Sequence, residues 1–520
     1  MSGARVIGVD VGTSSAKGVA IDERGSVLAE AEHPIPLSMP HPGWSEQAPE
    51  DWWTATQSVL HQLDGDTADG IGLSGQMHGL VVLGSERRPL RPAILWNDGR
   101  SQPQATRIEE ELGIERLVAL SGNRALAGFT APKLTWLAEH EPDVHRQIER
   151  ILLPKDYVRF RLTGELATDV SDASGTVLLD VGRRAWSDEL ARAFAVEPSW
   201  LPAVHESGAV TGHTSTGVPV AAGAGDQAAG ALGVGVTDDA SPASLVLGTS
   251  GVIFTARNAF TPDPLGRLHA FCHALPNTWH VMGVILSAAG ALSWLAGTLG
   301  ASDDIPGLLE AAAGWPPGVE GLTFAPYLSG ERTPYPDSDV RGGFVGLGLR
   351  HDRGALARAV LEGVAYALRD GLDLIAATGR RPEIARVSGG GARSELWLKI
   401  LASVLELPLE RTESEAGAAY GAALLGGVAG GVFDDARVAA QAGVKTTGHV
   451  DPDPAWVEAY AAERPRYQAL YPALSGLPES RMTHAADLQA SQPDDAGAAQ
   501  TGEAGRRAGG EPAGERRRSA

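Results

Sequence analysis

Val6-Ile7-Gly8-Val9-Asp10-Val11-Gly12-Thr13-Ser14-Ser15-Ala16-Lys17-Gly18-Val19-Ala20-Ile21-Asp22 is the stretch whose reading decides the fold. A β-branched run carries an acid near its end, a small polar turn follows at 12–15, and a second apolar run begins at Lys17, which predicts a hairpin. The same grammar returns at 244–247, Gly248-Thr249-Ser250-Gly251 and 252–256, with Thr249 standing 236 residues after Thr13. Two such hairpins predict two structurally similar lobes, each exposing backbone N–H groups and hydroxyls at its turn.

Around both hairpins the pattern mixes strand and helix. Residues 70–74 and 384–388 read as strands. Residues 352–377 read as a helix, because Leu356, Val360, Val364, Leu368, Leu372 and Ile375 recur every three or four positions behind an Asp352 N-cap. The Ala- and Gly-rich run 415–431 suits a helix pressed against another backbone. Residues 476–520 lack aromatics and are dominated by small, polar and charged types, the composition of a disordered tail.

With 520 residues the chain has room for two to four domains at roughly 150 residues each. Its 43 Lys and Arg against 64 Asp and Glu give a formal charge of −21, a surface that repels phosphate backbones and anionic headgroups. Neither nucleic-acid nor membrane binding through overall charge is expected. The lone Cys272 excludes an intramolecular disulfide framework and a CxxC redox centre. No signal-peptide h-region opens the chain and no apolar run reaches about 18 residues, so a soluble, cytoplasmic protein is expected.

Phosphate chemistry needs amides and hydroxyls converging on oxygens, and carboxylates to hold magnesium. Gly12-Thr13-Ser14 and Gly248-Thr249-Ser250 are candidates for the first role and Asp10 for the second, although one such turn alone is only a hairpin turn. Asp226 lies among small residues in Gly223-Ala224-Gly225-Asp226-Gln227-Ala228-Ala229-Gly230, where it reads as a general base or as the N-cap of a helix starting at Gln227. Gly75-Gln76-Met77-His78-Gly79 and Trp96-Asn97-Asp98-Gly99-Arg100 follow strand-like runs and carry the groups a polyhydroxylated ligand requires. Singly, His78 also reads as a structural histidine and Asn97-Asp98-Gly99 as a turn. His269, Cys272 and His273 alternate as in a strand and lack a fourth zinc ligand, and no P-loop or dinucleotide fingerprint is present.

Taken together these segments resemble the FGGY carbohydrate kinases, from about Val6 to Tyr471. Residues 128–140 fit the family's first signature throughout, and 342–362 fit its second except that Ala355 stands where a polar residue is usual. Met77-His78-Gly79, Trp96-Asn97-Asp98, and the segments 42–47 and 153–157 are most similar to members that phosphorylate D-xylulose. The resemblance implies an α/β fold of two actin-like, ribonuclease-H-like lobes with an interlobe active-site cleft, shared with hexokinase, actin and heat-shock-chaperone ATPases. The lobes would span 1–240 for sugar and 241–475 for nucleotide.

It further implies phosphorylation of the 5-hydroxyl of D-xylulose by ATP, with Asp226 as base and Mg2+ near Asp10. Met77, His78, Trp96, Asn97, Asp226 and Gln227 would contact sugar. Gly12, Thr13, Ser14, Gly248, Thr249, Ser250, Gly390, Gly391 and Ser394 would contact phosphate or nucleotide. Gln227 and Ser394 replace asparagines frequent in the family. A kinase for another ketose or polyol such as ribulose, and a non-enzymatic sugar sensor on the same fold, are the alternatives. A homodimer is compatible with either.

Overall fold

The opening stretch folds in the computed structural model, which describes residues 3–412 and 417–477, as β1 (Val6–Val11) and β2 (Ser15–Ile21), antiparallel with Asp10 opposite Lys17. β3 (Val27–Pro34) extends the hairpin beyond β2, while β4 (Gly70–Gly75) runs parallel to β1 with Asp10 opposite Ser74. β5 (Val210–His213) and β6 (Pro219–Ala221) complete the path β5-β6-β4-β1-β2-β3, and the two-residue β7 (Ala224–Gly225) also pairs parallel with β4.

The second hairpin is β8 (Ala243–Leu247) and β9 (Gly251–Arg257). β10 (His269–Cys272) and β11 (Trp279–Ile285) lie beyond β9; β12 (Ala385–Ser388), β13 (Leu409–Thr412) and β14 (Thr446–Val450) lie beyond β8, giving the order β10-β11-β9-β8-β12-β13-β14. β8 pairs in parallel with β12 as β1 does with β4, and β9 pairs antiparallel with β11 as β2 does with β3. The repeated hairpin grammar therefore marks a repeated sheet plan, the two-lobed α/β arrangement expected from the sequence.

Five helices matter for the site: α1 (Thr130–His140), α2 (Asp226–Gly233), α3 (Arg353–Thr378), α4 (Glu395–Leu405) and α5 (Gly417–Ala429). Asp352 caps α3 as read, its carboxylate accepting from Ala355 N–H at 3.0 Å. The cap uses only the Ala355 backbone and the methyl is fully buried, so an apolar residue fits there. Glu415 and residues 478–520, including nearly all of the expected tail, lie outside the described residues. Residues 1–476 form one unit. Among the described residues no helix is long and apolar enough to cross a membrane.

α5 comes from the last quarter of the chain yet packs on β1, β4 and α2. The approach is backbone on backbone. A Cβ on Gly72 of β4 would stand 1.8 Å from the Ala422 carbonyl oxygen, and one on Gly421 would stand 1.9 Å from that of Ala229 in α2. Only glycine permits either contact. Gly421→Ala is accordingly expected to cost about 1–3 kcal/mol, the usual range for overpacking, and to lower the midpoint of thermal or urea denaturation. An unchanged midpoint would show that the seam can open without penalty.

Candidate active site

Strand register brings the candidate residues together. Gly75 of β4 faces both Val11 of β1 and Gly225 of β7, so the ends of three adjacent strands bring Asp10, Gln76–His78 and Asp226 together. The helix expected to start at Gln227 behind an Asp226 cap begins one residue earlier, with Gly225 at the N-cap position and Asp226 in the first turn. The Asp226 carboxyl is thereby presented at a helix N-terminus, where a negative charge is favoured.

Two cavities meet at that carboxyl. One, of about 170 Å³, is lined by Met77, His78, Trp96, Gln227, Asp226 and Arg332 with apolar walls from Leu126, Phe129, Met282 and Val284. The other, of about 230 Å³, is lined by Asp10, Ser388, Gly417 and again Asp226 and Gln227. Burial, and then the charge of Asp10, push the Asp226 pKa up to about 7, against the opposing pull of the Gln227 amides. Burial also raises the pKa of Asp10, opposed by a 2.7 Å hydrogen bond from the Ser74 hydroxyl and by the charge of Lys17.

His78 sits in the left-handed region at φ 70°, a conformation that a non-glycine residue adopts at some cost. The buried Lys133 amine and the Thr130 hydroxyl, both on α1, hold it there by donating to its carbonyl at 2.8 and 3.1 Å. Burial drives its pKa down to about 3, so the ring is neutral. Nδ1 lies 2.7 Å from the Gly175 carbonyl oxygen, which can only accept. The proton is therefore on Nδ1, and Nε2 is left as an acceptor.

A buried network fixes the peptide ahead of Asp226. Gly225 N–H donates to the Ser171 hydroxyl at 3.1 Å, which donates to Asp169 at 2.6 Å. Ser207 donates to the same carboxylate oxygen at 2.8 Å. Lys155 approaches Asp156, Asp169 and Asp172 at 2.7, 2.9 and 3.4 Å. Burial works against the Lys155 ammonium, but these three carboxylates raise its pKa and keep it charged.

The remaining expected residues divide. Trp96 lines the first cavity while its indole N–H donates to Thr13 Oγ1, and Thr13 donates onward to Gln76, both at 3.1 Å. The first turn is thus tied to the cavity wall, although Gly12, Thr13 and exposed Ser14 line neither cavity. In the second turn Ser250 lines the first cavity, whereas Gly248 and Thr249 accept from the N–H groups of Ala289 and of Ala288 and Gly290. Asn97 is exposed and lines neither cavity; its turn is locked by Asp98, which receives both Arg100 and Ser45 N–H.

Gly390 and Gly391 form a 3₁₀ turn after β12, outside both cavities. Ser394 caps α4 by accepting from Trp397 N–H at 3.2 Å. Among the described residues no cluster of three or more metal-ligating side chains occurs, and His269 instead meets Asn123 at 2.7 Å. Sequence reasoning gave no site role to Lys133 and Lys155, although both lie in the segments 128–140 and 153–157 that carry the resemblance, and it passed over Arg332. Charged residues inside otherwise apolar or turn-like runs were the available signal.

Residues 5–233 match the N-terminal domain, and residues 243–430 the C-terminal domain, of the FGGY family of carbohydrate kinases. The xylulose kinase of Escherichia coli K12 is 46% identical over 438 residues, 81% of this chain and 90% of that protein. The xylulose kinase of Bacillus subtilis is 36% identical over 482 residues, 90% of this chain and 96% of that one. The crystal structure of xylulose kinase from Rhodospirillum rubrum superposes with a TM-score of 0.84 at 32% identity, covering 91% of this chain and 99% of that one. With both domains matched and a carboxyl set between two cavities, the chain belongs to the FGGY family of carbohydrate kinases and is a sugar kinase.

Proposed function

We propose that the protein phosphorylates D-xylulose with ATP to give D-xylulose 5-phosphate, with the lobes 1–240 and 241–475 supplying the sugar and nucleotide sides. The single observation that carries this reading is the position of Asp226, which lines both cavities. A base for phosphoryl transfer must touch the acceptor hydroxyl and also face the incoming phosphate. The relatives named as xylulose kinases supply the choice of sugar.

In this mechanism the sugar occupies the cavity of His78 and Met77 with its 5-hydroxyl at Asp226. A sugar hydroxyl is a poor nucleophile while it holds its proton, and the carboxylate accepts that proton as the oxygen–phosphorus bond forms and ADP leaves. Asp10 fits a magnesium site. It is a buried carboxylate facing a second one across the phosphate-side cavity, and magnesium ordinarily takes one or two carboxylates plus phosphate oxygens. When bound, the ion neutralises charge on the transferred phosphate.

Three outcomes test the reading. ADP release across a panel of ketoses and polyols should be fastest with D-xylulose, and a preference for ribulose or a polyol would replace the substrate. The pH profile of kcat/KM, which reports the free enzyme, should rise through about pH 7 and level above it as Asp226 loses its proton. Asp226→Asn should abolish that limb and lower turnover on the order of 10²- to 10⁴-fold.

Stability should move the opposite way. A carboxyl whose pKa is raised from 3.8 to about 7 holds more protons folded than unfolded between those values, so it lowers stability as pH rises through them. Asp226→Asn should therefore melt higher than the wild type at pH 8. A lower melting point would make Asp226 a structural residue. His78→Ala, finally, should raise KM for the sugar more than KM for ATP; equal changes would assign His78 to packing.

A further inference from the structure

Arg332 enters the sugar cavity from the loop between the strands Thr323–Ala325 and Gly343–Val345. The loop backbone is pinned on both sides of it. Glu331 accepts from the N–H groups of Arg332 and Leu286 at 2.8 and 3.0 Å through one oxygen. Thr333 exchanges hydrogen bonds with the Val284 backbone, N–H to carbonyl at 3.0 Å and hydroxyl from N–H at 3.1 Å. β11 thus carries both the cavity wall, through Met282 and Val284, and the anchor of the Arg332 loop.

The guanidinium itself has no hydrogen bond or ion pair among the described residues. Glu331 is the nearest acid acting on it, but that carboxyl is committed to backbone N–H groups and forms no ion pair with it. A guanidinium offers five N–H donors, and the facing walls of Leu126, Phe129, Met282 and Val284 side chains accept none of them. The half-buried side chain presents these donors to the cavity, and a ligand with acceptor oxygens is their natural partner.

Asp226 lines both cavities, whereas Arg332 and His78 line only the first, away from the phosphate side. There they present a fork of donors and, on His78 Nε2, one acceptor. A guanidinium can only donate, and the carbonyl is the one oxygen of a ketose that can only accept.

We infer that Arg332 is a specificity-determining residue that reads the α-hydroxyketone end of the substrate, donating to the carbonyl oxygen while His78 Nε2 accepts from the neighbouring hydroxyl. This rests on the ketose reading above. An alditol keeps the phosphorylated hydroxyl but replaces the carbonyl, so its C2 oxygen is a weaker, out-of-plane acceptor for the fork.

The test compares D-xylulose with xylitol, its C2-reduced counterpart, in the wild type and in Arg332→Met and Arg332→Lys, with melting temperature recorded for each. The wild type should favour D-xylulose by 10²-fold or more in kcat/KM. Arg332→Met should lose that factor on D-xylulose, leave xylitol within about threefold, and leave KM for ATP unchanged; Arg332→Lys, which keeps the charge but not the fork, should fall between. An equal loss on ketose and alditol, or a rise in KM for ATP, overturns the inference. If the wild type prefers a different ketose, the substrate proposed above fails, and the same comparison of that ketose with its alditol still decides for or against Arg332.

Discussion

The contact between α5 and the strands β1 and β4 is the constraint on which the rest of the site depends. Two backbones approach so closely that a single methyl group at Gly8 or Gly72 would overlap a carbonyl oxygen of α5. Because α5 rests on α2 as well, the seam seats the helix that begins at Asp226 against strands that end at Val11 and Gly75. A helix late in the chain thus closes the sheet built early in it, and small residues are required where the chain is otherwise free to use larger ones. Dispersion and hydrophobic contact then follow from the flat fit, with Val6, Val19, Ala423 and Leu424 sharing one apolar cluster.

On this frame the site collects groups that are individually unfavourable. Asp226 and Asp10 are desolvated carboxyls lining one cavity, Arg332 is a cation whose side chain has no acceptor among the described residues, and His78 is held at φ 70° by α1. Such costs persist only where surrounding structure over-determines the geometry. The network of Lys155, Asp169, Ser171 and Ser207 does that for the Gly225 peptide, and loss of Lys155, the buried cation shared by Asp156, Asp169 and Asp172, would leave buried acids uncompensated and be strongly destabilising.

Much of this was legible in the sequence, for identifiable reasons. Hairpins are local, so both Gly-Thr-Ser turns and their flanking strands could be placed from runs of β-branched residues. α3 declared itself by its period and its Asp352 cap, and α5 by its Ala and Gly content. What escaped was set by distant pairing. Lys133 reads as one polar residue in an apolar helix until His78 is folded over it, and nothing local distinguishes Asn97, which is exposed, from Trp96, which lines the cavity. Arg332 was invisible for the same reason: its neighbours in space come from residues 77–78, 126–129 and 282–284.

The polarity of the cavity follows from where those unfavourable groups stand. Asp226 lines the phosphate-side cavity as well as this one, whereas Arg332 and His78 line this one and not the other. A ligand with hydroxyls throughout could lie either way round in a cavity of uniform character. Here the carboxyl accepts and the guanidinium donates, and the Met282 and Val284 side chains of the same cavity offer no hydrogen bond, so reversing the ligand sets a carbonyl oxygen against a carboxylate and leaves the cation with poorer partners. The same desolvation that makes each group costly in the empty protein makes the wrong orientation costly in the complex. Under the proposed roles of Asp226 and Arg332, orientation, and with it the choice of which hydroxyl meets the base, is enforced by groups that gain their partners only when the correct substrate is bound.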